Sequence, residues 1–366
     1  MLLRQNKFNG GLVTESPLYV STTEACFCRA SLINRNTIMA VSIADIKKLR
    51  EMTQAGMGDC KKALEESNGD FDAAVKWIRE KFTKIAAKRE ARDAAQGVVI
   101  ARTEGNYGAI MALKCETESV ANNDRFQDLA KAIMDLIMAN KPADQAALLA
   151  LPLEGSTVAD VITERSGACG EKMEVVYDFV KGEGVVAYNH FNHMLSAVVA
   201  FNQNAAEEAL KAVACQVVAM NPVAVNADEI PQEKKDEELN IAIIKTKEEQ
   251  IQKAVEAALK KAGLNPNHFD SEDHIESNMS KGWITAEQAE QGRKIMKEAA
   301  EQKAANLPEA MIQNIAKGRL NKFFKDNCLV EQEFINDAKL NVQQYMDSVQ
   351  KGLTVTAFKR INLNQD

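Results

Sequence analysis

Few residues in this chain have the types and spacing that chemistry needs. His190-Phe191-Asn192-His193 is an H-x-x-H run, the spacing from which a divalent metal is sometimes held. Without the glutamate of a zinc-peptidase motif, and with the two rings about 300° apart on a helix, it chelates poorly unless other ligands arrive from elsewhere. Gly167-Ala168-Cys169-Gly170-Glu171-Lys172 is the nearest approach to a phosphate-cradling loop, but its glycines and lysine do not follow G-x-x-x-x-G-K-[ST]. No G-x-G-x-x-G follows a strand-like run. No nucleophile, base and orienting acid can be assembled from spacing alone, since such a triad is defined by geometry. The chain therefore reads as a binding protein, with no metal and no cofactor expected.

Seven cysteines, Cys26, Cys28, Cys60, Cys115, Cys169, Cys215 and Cys328, form no C-x-x-C pair. An odd number at irregular spacing in apolar surroundings fits reduced thiols acting as small hydrophobes, and so a cytoplasmic protein. Charge points the same way. The 52 acidic residues outnumber the 45 basic ones, for a net of −7, so no broad positive surface for nucleic acid is expected. Aromatic residues are only 5% of the chain, which disfavours a base-stacking platform. No apolar run is long enough for a membrane span. Residues 1–38 carry Arg4, Lys7, Arg29 and Arg35 against Glu15 and Glu24 and show no period. They are expected to be an unstructured extension ahead of an internal start at Met39.

The elements that would position any site follow from periodicity. Residues 42–82 predict three short helices: a first turn pattern at Ile43, Ile46 and Leu49, a second helix capped by Asp59, and a third capped by Asp70 with Phe71, Ala74, Val75 and Ile78 on one stripe. Residues 83–96 are a charged, alanine-rich connector. A weak internal repeat follows. Gly97-Val98-Val99, the Tyr107-Gly108 turn and Ala109–Leu113 precede a helix from Asp124 to Ala139. Some 80–87 residues later, Gly184-Val185-Val186, Tyr188-Asn189-His190 and Leu195–Ala200 precede a helix from Ala205 to Ala219. Asp124 and Gln127 are placed to cap the first of these helices. The expected fold class is α+β, with duplicated strand–strand–helix subdomains over 97–165 and over 166–230 with 323–366, and antiparallel sheets. Residues 231–322 predict a projecting helical hairpin, broken by a turn or small insertion at 267–283. Its seam on Leu239, Ile243, Ile251, Val255 and Leu259 could also support self-association into a homo-oligomer.

One segment goes further. Leu49-Arg50-Glu51-Met52-Thr53-Gln54-Ala55-Gly56-Met57-Gly58-Asp59-Cys60-Lys61-Lys62-Ala63-Leu64 resembles the bacterial translation elongation factor Ts family, whose opening module carries L-R-x-x-T-x-A-G-M-M-D-C-K-K-A-L. Gly58 is the one departure within it. Cys115-Glu116-Thr117-Glu118-Ser119-Val120-Ala121-Asn122-Asn123-Asp124 is similar to the family's C-x-T-D-F-V-A-x-N-D run, Gly170-Glu171 to a later G-E pair, and Tyr188-Asn189-His190 to a Y-x-H element. Lys317–Phe323 resembles the segment leaving the family's coiled coil.

The resemblance implies a ubiquitin-associated-like three-helix module, a two-subdomain core and a coiled coil. It also implies a nucleotide exchange factor that binds elongation factor Tu and speeds GDP release, with no catalytic chemistry of its own. The partner-contacting positions it implies are Leu49, Arg50, Thr53 and Met57 in the module, Thr117, Glu118, Ser119 and Val120 in the first subdomain, and Cys169, Gly170 and His190 in the second. Glu118 and Ser119 stand where the family has Asp and Phe. Loss of a buried aromatic wedge is worth roughly 1.5–3 kcal/mol, about 10–150-fold in affinity, so exchange is expected to persist through the rest of the interface. Two other readings remain open: a helical scaffold binding a different protein without exchange, and a metal-dependent hydrolase using His190 and His193.

Overall fold

The computed structural model describes residues 41–364; the extension expected over 1–38 lies outside them. Ser42 starts α1 (Ile43–Thr53), its hydroxyl accepting from the Asp45 amide at 3.0 Å. Gln54, in the left-handed conformation at φ 59°, ends it. α2 (Met57–Glu66) starts one turn earlier than expected, with Gly56 and not Asp59 at its N-cap. Asp59 instead lies inside the helix and pairs with Lys81 of α3 (Phe71–Arg89). Asp70 caps α3 as expected. Residues 83–89, expected in a connector, are its last two turns, because Phe82 is buried beneath them and holds the helix down. Ile46, Leu49, Cys60, Leu64, Ala74, Ile78 and Phe82 form the core of this three-helix unit.

The chain then forms β1 (Gln96–Glu104), β2 (Tyr107–Cys115), the single turn α4 (Glu118–Ala121), α5 (Asp124–Asn140) and α6 (Gln145–Leu149). β3 (Pro152–Leu153), β4 (Ser156–Thr157), α7 (Val158–Cys169) and β5 (Glu174–Lys181) follow. β5 adds antiparallel to β2, giving the sheet order β1-β2-β5. Tyr107 and Tyr177 lock that pairing, hydroxyl to hydroxyl at 2.6 Å, with Tyr177 donating on to the Pro142 carbonyl at 2.8 Å. The subdomain boundary expected at 166 is therefore corrected. α7 and β5 belong to the first sheet and its core, which includes Val161, Val175 and Tyr177. Strand pairing across some 70 residues leaves no local pattern to read.

The second unit repeats this order with β6 (Gly184–Asn189), β7 (Leu195–Phe201) and α8 (Glu207–Met220). The long hairpin follows as α9 (Gln232–Lys261), α10 (Glu272–Ser280), α11 (Ala286–Ala305) and α12 (Glu309–Asn327). The chain returns through β8 (Glu333–Phe334), β9 (Asp337–Asn341) and α13 (Val342–Val349) to β10 (Val355–Asn362), which adds antiparallel to β7. Each of the two three-stranded sheets thus consists of an early hairpin closed by a distant third strand.

Side-chain alternation explains the stacking. Along β2, Ala109, Met111, Leu113 and Cys115 face the helices, while Ile110 and Ala112 face the other sheet and meet Val198 and Ala200 of β7. Both faces are covered, so the strand reads as one apolar run. In the hairpin, α9 packs against α12 and then α11, with Arg319 donating to Glu249 at 2.6 Å. Of the expected seam residues, Leu239, Ile243, Ile251 and Val255 are half-buried and Leu259 is buried near the hairpin's end, while Ala242 and Thr246 are buried along the helix. Residues 267–283, expected as a turn or small insertion, include α10 and contribute Phe269 and Ile275 to a small core at the hairpin's end. Among the described residues no helix is long and apolar enough to cross a membrane.

Candidate partner-binding face

β2 ends by burying Cys115, whose thiol donates to the Thr117 carbonyl at 3.3 Å. Burial, reinforced by the negative charge of Glu171, pushes this thiol up to about 12, so it is not a nucleophile near neutral pH. The next residue, Glu116, accepts from the Lys172 amide at 2.7 Å and from Arg92 Nη1 at 2.9 Å. These two bonds, in that order, hold its carboxyl below the usual range. Thr117 gives both its amide (3.1 Å) and its hydroxyl (2.7 Å) to the Glu171 carboxylate. α4 follows with Glu118 and Ser119 exposed and Val120 half-buried. Asn123, rather than Asp124, caps α5, accepting from the Arg125 amide at 3.0 Å. Gln127 reaches back to the Ala121 carbonyl at 2.7 Å and fastens α4 to α5.

Ser119, Val120 and Cys169 line one groove of about 290 Å³, together with Gln54, Arg125 and Phe126. Arg50, Lys47 and Glu51 line an adjoining depression that shares Gln54 and Arg125. The end of α1, the α4 turn and the end of α7 therefore meet on one surface, with Arg125 donating to Gln54 across it. Cys169 borders the groove as an exposed residue, although burial of its thiol raises its pKa. Gly170 ends α7 at φ 75°, its amide bonded to the Ser166 carbonyl at 2.9 Å. Without that left-handed turn, Glu171 would not reach Thr117.

Not every expected residue belongs to this surface. Leu49 is fully buried in the helical core, which corrects its placement as a contact residue. Its i+4 neighbour Thr53 is half-buried and donates its hydroxyl to the Leu49 carbonyl at 2.8 Å, a helix-ending role. Met57 is exposed but outside the groove lining. His190 lies on the β6–β7 turn, on the second sheet. Its Nδ1 is 3.3 Å from the Tyr188 hydroxyl, and its ring centroid is 4.4 Å from that of Phe191, which is 84% exposed. His193 turns away at φ 55° and uses its carbonyl to accept from the Val99 amide at 2.7 Å. Among the described residues no three His, Cys, Asp or Glu side chains cluster as a metal would need. Gln54, Arg125 and Phe191 carry no sequence signal of a contact; their place on the surface comes from the fold.

The sequence model of the family described as Elongation factor TS matches residues 116–264 and 252–365. The chain belongs to the elongation factor Ts family. Curated proteins named Elongation factor Ts from Bacteroides fragilis and Bacteroides thetaiotaomicron are 52% and 51% identical to it. The one from Porphyromonas gingivalis is 39% identical. Each alignment covers 90% of this chain and the whole of the relative. Family membership places the protein among the translation elongation factors of protein synthesis. The family match opens at Glu116, the first residue of the α4 loop, and runs through the hairpin to β10.

Proposed function

We propose that the protein binds elongation factor Tu carrying GDP in the cytoplasm and hastens release of the nucleotide, with no bond-making chemistry of its own. The observation that supports this reading is the convergence, in a member of this family, of Arg50, Ser119 of the α4 turn and Cys169 on adjoining grooves built from three separate elements. A factor of this kind works by differential affinity. It binds the nucleotide-poor state of its partner more tightly than the GDP state, and by linkage GDP then leaves the complex faster. Glu118 supplies a charge at the tip of the turn and Ser119 a small polar group. Arg50 and Met57 extend the contact along the helical unit and Arg125 along the start of α5, while Gly170 shapes the α7 end. His190, with Phe191, gives a second contact on the other sheet. Stopped-flow release of a fluorescent GDP from elongation factor Tu tests the proposal. Acceleration that saturates with added protein is expected, and a rate equal to that of the partner alone overturns it.

A further inference from the structure

The turn bearing Glu118 and Ser119 has little to hold it in shape by itself. α4 is four residues long, and Thr117 at its N-cap makes no side-chain cap bond because its hydroxyl is committed to Glu171. A helix of one turn is unstable alone. Its order has to come from the base, where two carboxylates tie it down. Glu171 directly follows the α7 cap residue Gly170 and holds Thr117 twice. Glu116 accepts from Lys172 on the same side, and on the other it is clasped by Arg92 at 2.9 Å and Arg89 at 3.6 Å. Arg89 is the last residue of α3, so this clasp reaches the helical unit that carries Arg50 and Met57. The Glu116 side chain is 15% exposed, much less than its arginines.

We propose that Glu116 is a positioning residue, a latch that fixes the α4 turn to the end of α3 so that the helical unit and the turn meet the partner as one preset surface. This inference rests on the exchange reading above. Glu116 does not touch the partner in this scheme. It raises the fraction of molecules whose turn is already in the competent shape, and a process that needs that shape scales with the fraction.

The full-length chain with Glu116→Gln, with Arg92→Met and with both changes separates this role from simple support of the fold. Gln keeps an acceptor for the Lys172 amide but loses the charge on which the arginines close. The half-saturating concentration for GDP release is expected to rise about tenfold while the maximal rate changes less than about threefold, since a saturating partner draws the open molecules into the competent shape. Amide hydrogen exchange over 117–122 in the free chain is expected to quicken by about tenfold with an unchanged melting temperature. The double variant should be no worse than either single one, because one latch is being opened. Unchanged amide exchange over 117–122 in both single variants, or equal losses in rate and affinity, would overturn the latch. If the unsubstituted chain does not accelerate GDP release, the exchange reading fails, and the amide exchange data still decide whether the latch exists.

Discussion

Docking of the helical unit onto the core depends on one missing side chain. Gly167 in α7 lies against Phe82 of α3. A Cβ there would stand 2.3 Å from the Phe82 Cβ and 2.5 Å from its Cα. Carbon atoms settle about 3.5–4.0 Å apart, so in Gly167→Ala the helices must part by about 1 Å or more. The Cα belongs to the backbone, so rotating the Phe82 ring away does not relieve the clash. Overpacking of this severity costs about 3 kcal/mol, against about 1 kcal/mol gained in helix propensity, leaving a net loss of about 2 kcal/mol. Separation also strains the Arg79–Glu164 ion pair, 2.7 Å long between the same two helices. Phe82 is the one residue of the helical unit's core that meets the added methyl, so the loss should appear mainly as undocking of α1–α3. Trp77 in α3 reports on that unit, its indole N–H bonded to Glu66 at 2.6 Å. The other tryptophan, Trp283 beyond α10, is silenced by Phe. Urea unfolding followed at Trp77 should shift to lower midpoint, and protease should cut between α3 and β1. Gly318→Ala in α12, where an added Cβ meets nothing within 4 Å, serves as the control and should gain about 0.4–1 kcal/mol. A Gly167→Ala protein as stable as this control, with the same resistance to protease, would refute the close-approach argument.

Three more outcomes are expected. Glu118→Lys should slow stimulated GDP release by at least about tenfold while leaving the melting temperature unchanged, since its side chain is exposed and bonds only to Asn122 at 3.4 Å; unaltered release would remove Glu118 from the contact. Phe191→Ser should weaken partner binding in a titration without loss of stability, because a side chain 84% exposed contributes little to the fold; an unchanged dissociation constant would show that the β6–β7 turn stays free. Stability should decline as pH rises from about 9 toward 12, because burial raises the Cys115 thiol from 9.0 to about 12 and the unfolded chain ionises first. The thiol's contribution is thus intact below 9 and lost on the alkaline side. Urea midpoints measured across that range should fall less steeply in Cys115→Ala, and an equal slope would refute the assignment.

The parts of this structure legible from sequence were those written locally. Asp70 marks the start of α3, and the Phe126, Leu129, Ile133 and Ile137 stripe marks the buried face of α5. The duplicated hairpins show as matching landmarks, Gly97-Val98-Val99 and Gly184-Val185-Val186, each followed by a second apolar strand and a helix. The α4 segment was visible because its residue types resembled a family run. What was not legible depended on distant partners. β5 and β10 each close a sheet whose other strands lie far away along the chain, and no feature of Glu174–Lys181 names β2 as its neighbour. Leu49 sits inside a contact-bearing motif, but its spacing from Ile46 puts it on the buried face. Gln54 and Arg125 join the candidate face only because a left-handed residue and an Asn cap, 69 positions apart, turn both side chains to one surface.

The order in which the strands are made sets a constraint on synthesis. The first sheet is complete once residue 181 has left the ribosome. The second is not: Asn202 and Thr354, joined by a hydrogen bond at the β7–β10 junction, are 152 residues apart. While the hairpin is being translated, β7 presents Leu195-Ser196-Ala197-Val198-Val199-Ala200-Phe201 with one edge of amides and carbonyls unpaired, an adhesive strip on a nascent chain. Its protection in that interval falls to β6 on one side and to the already finished first sheet beneath it. The N-terminal repeat therefore acts as a template for its own duplicate before it acts on anything else.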